Sequence, residues 1–137
     1  MEQILEKIRS IVYGIAAVLS VALLLILMVM EADAARLNHE KYYQQIWCDQ
    51  HGGVTEYRLE DGTRVDCLLP DYAIEFDFAS KWAESIGQAL YYGLMTDRQP
   101  GVVLILEQPR DRRYLPRIKT VADDLDLELW ITGPEVE

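Results

Sequence analysis

The sequence predicts an α/β domain behind an N-terminal apolar helix, and three observations carry that expectation. Ile11 to Met30 is an uncharged run of 20 residues. Val102-Val103-Leu104-Ile105-Leu106 is apolar on both faces, as a strand covered above and below requires. Between Leu37 and Ile131, segments of helical period alternate with short strand-like ones, the pattern of a mixed sheet flanked by helices.

Taken in order, the apolar run comes first. Twenty helical residues span about 30 Å, the thickness of a bilayer core. Lys7 and Arg9 precede the run, diluted by Glu2 and Glu6, so the charge bias that orients a span is weak. Ala32-x-Ala34 behind it reads as a signal-peptidase site. Cleaved signals usually have a shorter apolar core, so an uncleaved anchor is preferred to a cleaved signal peptide over residues 1–35. Either way residues 36–137 are expected outside the cytoplasm, membrane-anchored or secreted, with the membrane as partner of the N-terminal helix and a periplasmic setting for the domain.

Leu37 to about Gln50 repeats Tyr42, Tyr43, Ile46 and Trp47 at helical spacing, and Gly52-Gly53 supplies a stop. Val54–Glu60 and Thr63–Leu69 read as strands around Asp61-Gly62, a two-residue hairpin signal. Leu69-Pro70-Asp71 turns into a third strand, Tyr72–Phe78. Helical period returns from about Ser80 to Leu94. After the apolar strand from Gly101, the basic stretch from about Asp111 to Asp124 reads as helix, with Pro116 near its start or kinking it. Leu127–Ile131 is a short last strand ended by Gly133-Pro134. The predicted order of the domain is αβββαβαβ.

Charge narrows the function classes. The chain carries a net charge of −10, and residues 36–137 hold 11 basic and 19 acidic residues, a net of −8. Such a domain has no general attraction for nucleic acid, whose affinity comes largely from phosphate neutralisation. The local exception is Arg110, Arg112, Arg113, Arg117 and Lys119, five cations in ten residues. They read as a solvated helix face pairing with nearby acids, or as a local contact for nucleic acid. Cys48 and Cys67 are the two cysteines. In an exported chain they predict one disulfide closing a 19-residue interval and worth about 3 kcal/mol. In a cytoplasmic one they would be buried thiols.

The chemistry-bearing residues gather around the second and third strands. Alternation puts Arg64, Asp66 and Leu68 on one face of the second strand, and Ala73, Glu75 and Asp77 on one face of the third. In matching register Asp66 approaches Glu75. Paired carboxylates there make an oxygen-rich site suited to Mg²⁺ or Mn²⁺. On the following helix Lys81, Ser85, Gln88 and Tyr92 form a polar stripe. Simpler readings exist for these: Asp66 pairing with Arg64 or a neighbouring cation, Glu75 and Asp77 facing water on an edge strand, Lys81 solvated at a helix start, and Gln88 satisfying backbone groups beside two tyrosines. Glu56 reads as a surface charge, and Glu40 as an auxiliary ligand that nothing local singles out.

This arrangement resembles the PD-(D/E)XK nuclease superfamily, with its restriction-endonuclease-like fold. Asp66 matches the aspartate of the second strand and Glu75 the acidic residue of the third. Gln88-Ala89-Leu90-Tyr91-Tyr92 matches the Gln-x-x-x-Tyr helix motif of the exonuclease-like branch. Element order is matched over nearly all of Arg36 to Thr132, the motifs at four or five positions. One departure stands out: Asp77 occupies the place of the lysine two residues after the glutamate. In that superfamily the lysine sometimes moves to a neighbouring element, and Lys81 is positioned for this. The resemblance implies Mg²⁺ or Mn²⁺ held by Asp66 and Glu75, with Asp77 as a third ligand or as the mark of a site that no longer cuts. It implies Lys81 beside the reacting phosphate, Gln88 positioning substrate or Lys81, and Tyr92 packing beneath. The implied function is metal-dependent phosphodiester cleavage. The alternative is an inactive domain of the same fold that binds a protein partner in the cell envelope, and a third reading has the apolar segment drive assembly with other chains.

Overall fold

The uncharged run lies inside one long helix, α1 (Glu2–Ala34), of this computed structural model, which describes residues 1–34 and 36–136, and side chains for 1–26 and 36–136. The side chains of Ala32-x-Ala34, and Ala35 itself, fall outside that description. Glu2–Ile26 is long and apolar enough, by length and composition, to cross a membrane. A signal sequence meets the same description. Ile11, Leu19 and Leu24 are each more than half exposed, so this stretch supplies no core of its own.

Contacts divide the chain into two units, Met1–Leu37 and Asn38–Glu137. The second is an α/β unit with the predicted order: α2 (Glu40–Gln50), β1 (Val54–Arg58), β2 (Arg64–Leu68), β3 (Tyr72–Phe78), α3 (Trp82–Thr96), β4 (Gln99–Ile105), α4 (Leu115–Asp124) and β5 (Glu128–Thr132). Among the described residues, 3₁₀ segments at Ala79–Lys81 and Pro109–Tyr114 join successive elements, and a third, Pro134–Val136, follows β5. The five strands lie in the sheet in chain order. β1–β2 and β2–β3 are antiparallel, β3–β4 and β4–β5 parallel.

Alternation sorts the core into two layers. On one face Trp47 and Cys48 of α2 pack on Cys67, Ile74, Phe76 and Val103. On the other, Ile86 and Ala89 of α3 and Ile118 and Ala122 of α4 pack on Val102 and Leu104. Each buried Val, Leu, Ile or Phe side chain there contributes about 1.5–3 kcal/mol. The buried stripe of α2 is Tyr43, Gln44, Trp47 and Cys48, while Tyr42 and Ile46 are exposed. The helix is thus rotated by about one residue from the aromatic stripe expected, because Cys48 must face the sheet: it is joined to Cys67 by a disulfide, with both sulfurs buried. Gly53 packs against that bridge so tightly that a Cβ would lie 2.6 Å from Cys67 Sγ and 2.7 Å from Cys48 Sγ.

The β1–β2 connection differs from the expected two-residue turn. Leu59 N–H donates to Thr63 O at 2.9 Å and Gly62 N–H to Leu59 O at 3.0 Å, giving a three-residue loop with Gly62 at φ +89°. A two-residue type I′ turn needs positive φ at both central residues. Here Gly62 alone in the loop provides it. Asp61 instead accepts bonds from the N–H and hydroxyl of Thr63 and from the Tyr91 hydroxyl of α3. The helix expected from Ser80 begins at Trp82, after the 3₁₀ turn that carries Lys81, and the basic stretch is 3₁₀ up to Tyr114 before α4 begins with Pro116 in its first turn.

Candidate functional site

The site starts where two ladders fail at one residue. Cys67 pairs with Ile74 and Leu68 with Ala73, a register that sets Asp66 opposite Glu75, yet the β2–β3 ladder stops short of them. On its other side, Thr55 pairs with Cys67 and Tyr57 with Val65, but Glu56 and Asp66 are skipped. Glu56 has φ +54°, a left-handed conformation that costs a non-glycine residue on the order of 1–3 kcal/mol. Asp66 is therefore released from the sheet on both edges. Its carbonyl accepts from Gln44 Nε2 at 2.6 Å, and its carboxylate Oδ2 accepts from Phe76 N–H at 2.9 Å. Gln44 is the buried polar residue on the apolar face of α2, and its amide also reaches Glu56 Oε1 at 3.3 Å.

Asp66, Glu75, Asp77, Lys81, Gln88 and Tyr92 all line one open cleft of about 510 Å³. All six residues singled out in the sequence are thus brought together. Glu40, Lys41, Glu56 and Arg64 line the same cleft. The edge-strand reading of Glu75 and Asp77 is wrong: β3 is interior, and the two are only 6% and 3% exposed. So is the pairing of Asp66 with Arg64, whose Nη1 sits 2.8 Å from Glu56 Oε2. The helical stripe is less polar than expected, since Ser85 turns its hydroxyl onto Trp82 O and Tyr92 is buried with Val65, Leu68 and Ala73. Lys81 Nζ stands 3.8 Å from Asp77 Oδ1, which also accepts the Phe78 N–H at 2.8 Å.

Burial dominates the electrostatics. It raises Glu75 far above the ordinary carboxylate range, and the charges of Asp66, Asp77 and Glu40 add to the rise. It raises Asp66 as well, opposed by the Phe76 N–H bond and reinforced by Glu40 and Glu56. A protonated Glu75 hydrogen-bonds to Asp66, while Glu75 Oε2 is buried with no hydrogen-bond partner. Burial lifts Asp77 to about 7 against the pull of Lys81, and lifts the Tyr92 hydroxyl to about 12.

We compared the chain with family models, curated proteins and solved structures. Nothing matched in any of the three. The reading of the cleft therefore rests on its own donor set.

Among the described residues, no group of three or more His, Cys, Asp or Glu is placed to hold a metal ion. Asp77, engaged with Phe78 N–H and facing Lys81, does not complete such a set. The Asp66–Glu75 pair remains, and it fits a hard cation on two counts. Its donors are all oxygen, and one is a buried acceptor without a partner, of the kind that costs about 1–3 kcal/mol unless something satisfies it.

Asp77 gives the cleft a pH signature. Between its ordinary 3.8 and its folded value of about 7, the folded chain keeps a proton that the unfolded chain has released. Stability present at pH 4 is therefore lost as pH rises to about 7, by up to about 1.4 kcal/mol per pH unit. Urea unfolding of the full chain in detergent should show this fall. Asp77→Asn should make it shallower by that amount, leaving the part that Asp66 and Glu75 contribute in the same direction, and an unchanged slope in that variant would reject the assignment.

Sequence reasoning missed Gln44, Lys41 and the pairing of Glu56 with Arg64. Gln44 carried a usable signal, being three residues before Trp47 and four before Cys48 on the buried side. The positive φ of Glu56 left no trace in composition or spacing.

Proposed function

We propose that residues 36–137 form an exported or membrane-anchored domain of PD-(D/E)XK type that cleaves phosphodiesters with a divalent cation, Mg²⁺ or Mn²⁺. The observation that carries this reading is the buried, partnerless Glu75 Oε2 beside the carboxylate of Asp66. The pair would hold the ion. Such an ion, when bound, polarises a phosphate oxygen and lowers the pKa of its water. Lys81 reaches the cleft from the turn after β3 and places an ammonium where negative charge develops on the phosphoryl oxygens. Gln88 lines the wall beside it and orients the substrate or Lys81. Tyr92 closes the floor with Leu68 and Ala73, keeping water from behind the acids. The 3₁₀ turn carrying Lys81 packs on the 3₁₀ segment Pro109–Tyr114, where the basic stretch begins. That adjacency supports a nucleic-acid contact near Arg110 and Arg113, whereas Arg112 is held by Glu135. The Cys48–Cys67 disulfide supports an oxidising, extracytoplasmic compartment such as the periplasm.

One observation favours a second reading. Asp77 stands where the lysine of the motif is expected and is buried, which suits an inactive domain that docks a basic protein partner in the envelope.

The two readings separate in one assay. Full chain in detergent should degrade labelled DNA or RNA with Mn²⁺ or Mg²⁺ and not with EDTA. Asp66→Asn should abolish this, and Lys81→Ala should slow it by about 10²–10³-fold, the usual cost of one electrostatic donor. Calorimetry showing no affinity for either ion, with no cleavage, would leave the docking reading.

A further inference from the structure

We propose that Lys41 and Arg64 form a second phosphate subsite on the rim of the cleft, binding a backbone phosphate of the same nucleic-acid strand beside the one at Asp66 and Glu75. This rests on the phosphodiester reading above and deepens it. In a domain of net charge −8, two cations brought to the wall of an acidic cleft need an explanation. Glu56 supplies the geometry. Its Oε2 takes Arg64 Nη1 at 2.8 Å and its Oε1 faces Lys41 Nζ at 3.6 Å, so one carboxylate gathers cations from β2 and α2. The Gln44 amide reaches the same Oε1 at 3.3 Å and holds Asp66 O at 2.6 Å, tying the cation pair to the backbone of the acidic site.

Both cations remain open to solvent, with side chains 71% and 58% exposed. A guanidinium has five N–H donors in a planar fork, and the pairing with Glu56 runs through Nη1, leaving the rest of the fork for a bidentate contact to phosphate. Arg64 and Asp66 line the same cleft. The strained backbone of Glu56 lies at the centre of this arrangement.

The test is the salt dependence of binding. Full chain in detergent is titrated with a short fluorescent single-stranded DNA oligonucleotide in Ca²⁺ at several salt concentrations. Each lost phosphate contact should lower the slope of log K against log salt by about 0.7. Arg64→Gln and Lys41→Gln should each lose about that much, and Arg64→Lys should recover it, with thermal stability of all variants checked alongside. If the parent binds and both Gln variants keep its slope, the subsite is wrong while the phosphodiester reading stands. If the parent does not bind the oligonucleotide at all, both fall. Phosphatidylglycerol mixed into the micelles gives the last arm. If that lipid displaces the oligonucleotide from the parent but not from the Gln variants, the pair belongs to a lipid headgroup and the proposal is overturned.

Discussion

Replacing Glu75 by Gln should abolish cation-dependent cleavage and at the same time make the protein more stable at neutral and alkaline pH. The two effects have one cause. Burial holds the Glu75 carboxyl protonated in the folded chain over a range where the unfolded chain has ionised it. Folding at pH 8 then takes up a proton, at about 1.4 kcal/mol for each pH unit above the ordinary carboxylate value. Glutamine has nothing to titrate, so the variant should gain on the order of several kcal/mol over the parent at pH 8 and little at pH 4. Cleavage should fall by roughly 10³-fold or more, because one of two cation donors is gone and its charge with it. Urea unfolding at the two pH values, with and without Mn²⁺, reads both effects. Added Mn²⁺ should stabilise the parent at pH 8 by displacing the proton, and should leave Glu75→Gln unmoved. A parent indifferent to Mn²⁺, or a variant less stable than the parent at pH 8, would sink the cation-site assignment.

Loss of the Cys48–Cys67 bridge should cost about 3 kcal/mol, the value expected for a loop closed over a separation of 19 residues. Cys48→Ala/Cys67→Ala, or the parent unfolded in dithiothreitol, should show it as a lower urea midpoint. Gly53 provides an internal control. In the oxidised protein Gly53→Ala drives a methyl against both sulfurs and should destabilise it by about 1–3 kcal/mol. Once the bridge is replaced by two alanines, the same change should cost less, since both sulfurs are gone and only the contact with the flexible end of Leu69, at 2.8 Å, remains. Equal costs in the two backgrounds would show that the packing around Gly53, rather than the sulfurs, sets the penalty. The cleft should weaken with the bridge, because the helix that presents Gln44 and Lys41 is fastened to β2 beside Asp66.

Most of the architecture was legible because alternation and burial agree along each segment. Tyr72–Phe78 coincides with β3, and the apolar run after Gly101 lies in and just beyond β4, because both are covered on two faces and need apolar side chains nearly throughout. Turn geometry was less legible. Asp61-Gly62 signals a hairpin, but Asp61 spends its carboxylate on Thr63 and Tyr91, a tertiary contact that local propensity does not contain. The orientation of α2 was misjudged for a similar reason, since aromatic spacing alone does not say that Cys48 is tied to the sheet. For the site, strand alternation sufficed to bring Asp66, Glu75 and Asp77 to one cleft, and helical spacing brought Gln88 and Tyr92. What it could not supply was the release of Asp66 from both ladders. That depends on a backbone angle at Glu56 and on an amide from another helix, and neither is written in residue type.

The bridge from α2 to β2 also decides how this domain bears force. A tug arriving through the chain before Asn38 meets α2 first, and a helix held only by side-chain packing would peel away at low load. Here the covalent link stops the peeling at Cys48, near the end of the helix, and passes the remaining tension to Cys67 in the second strand.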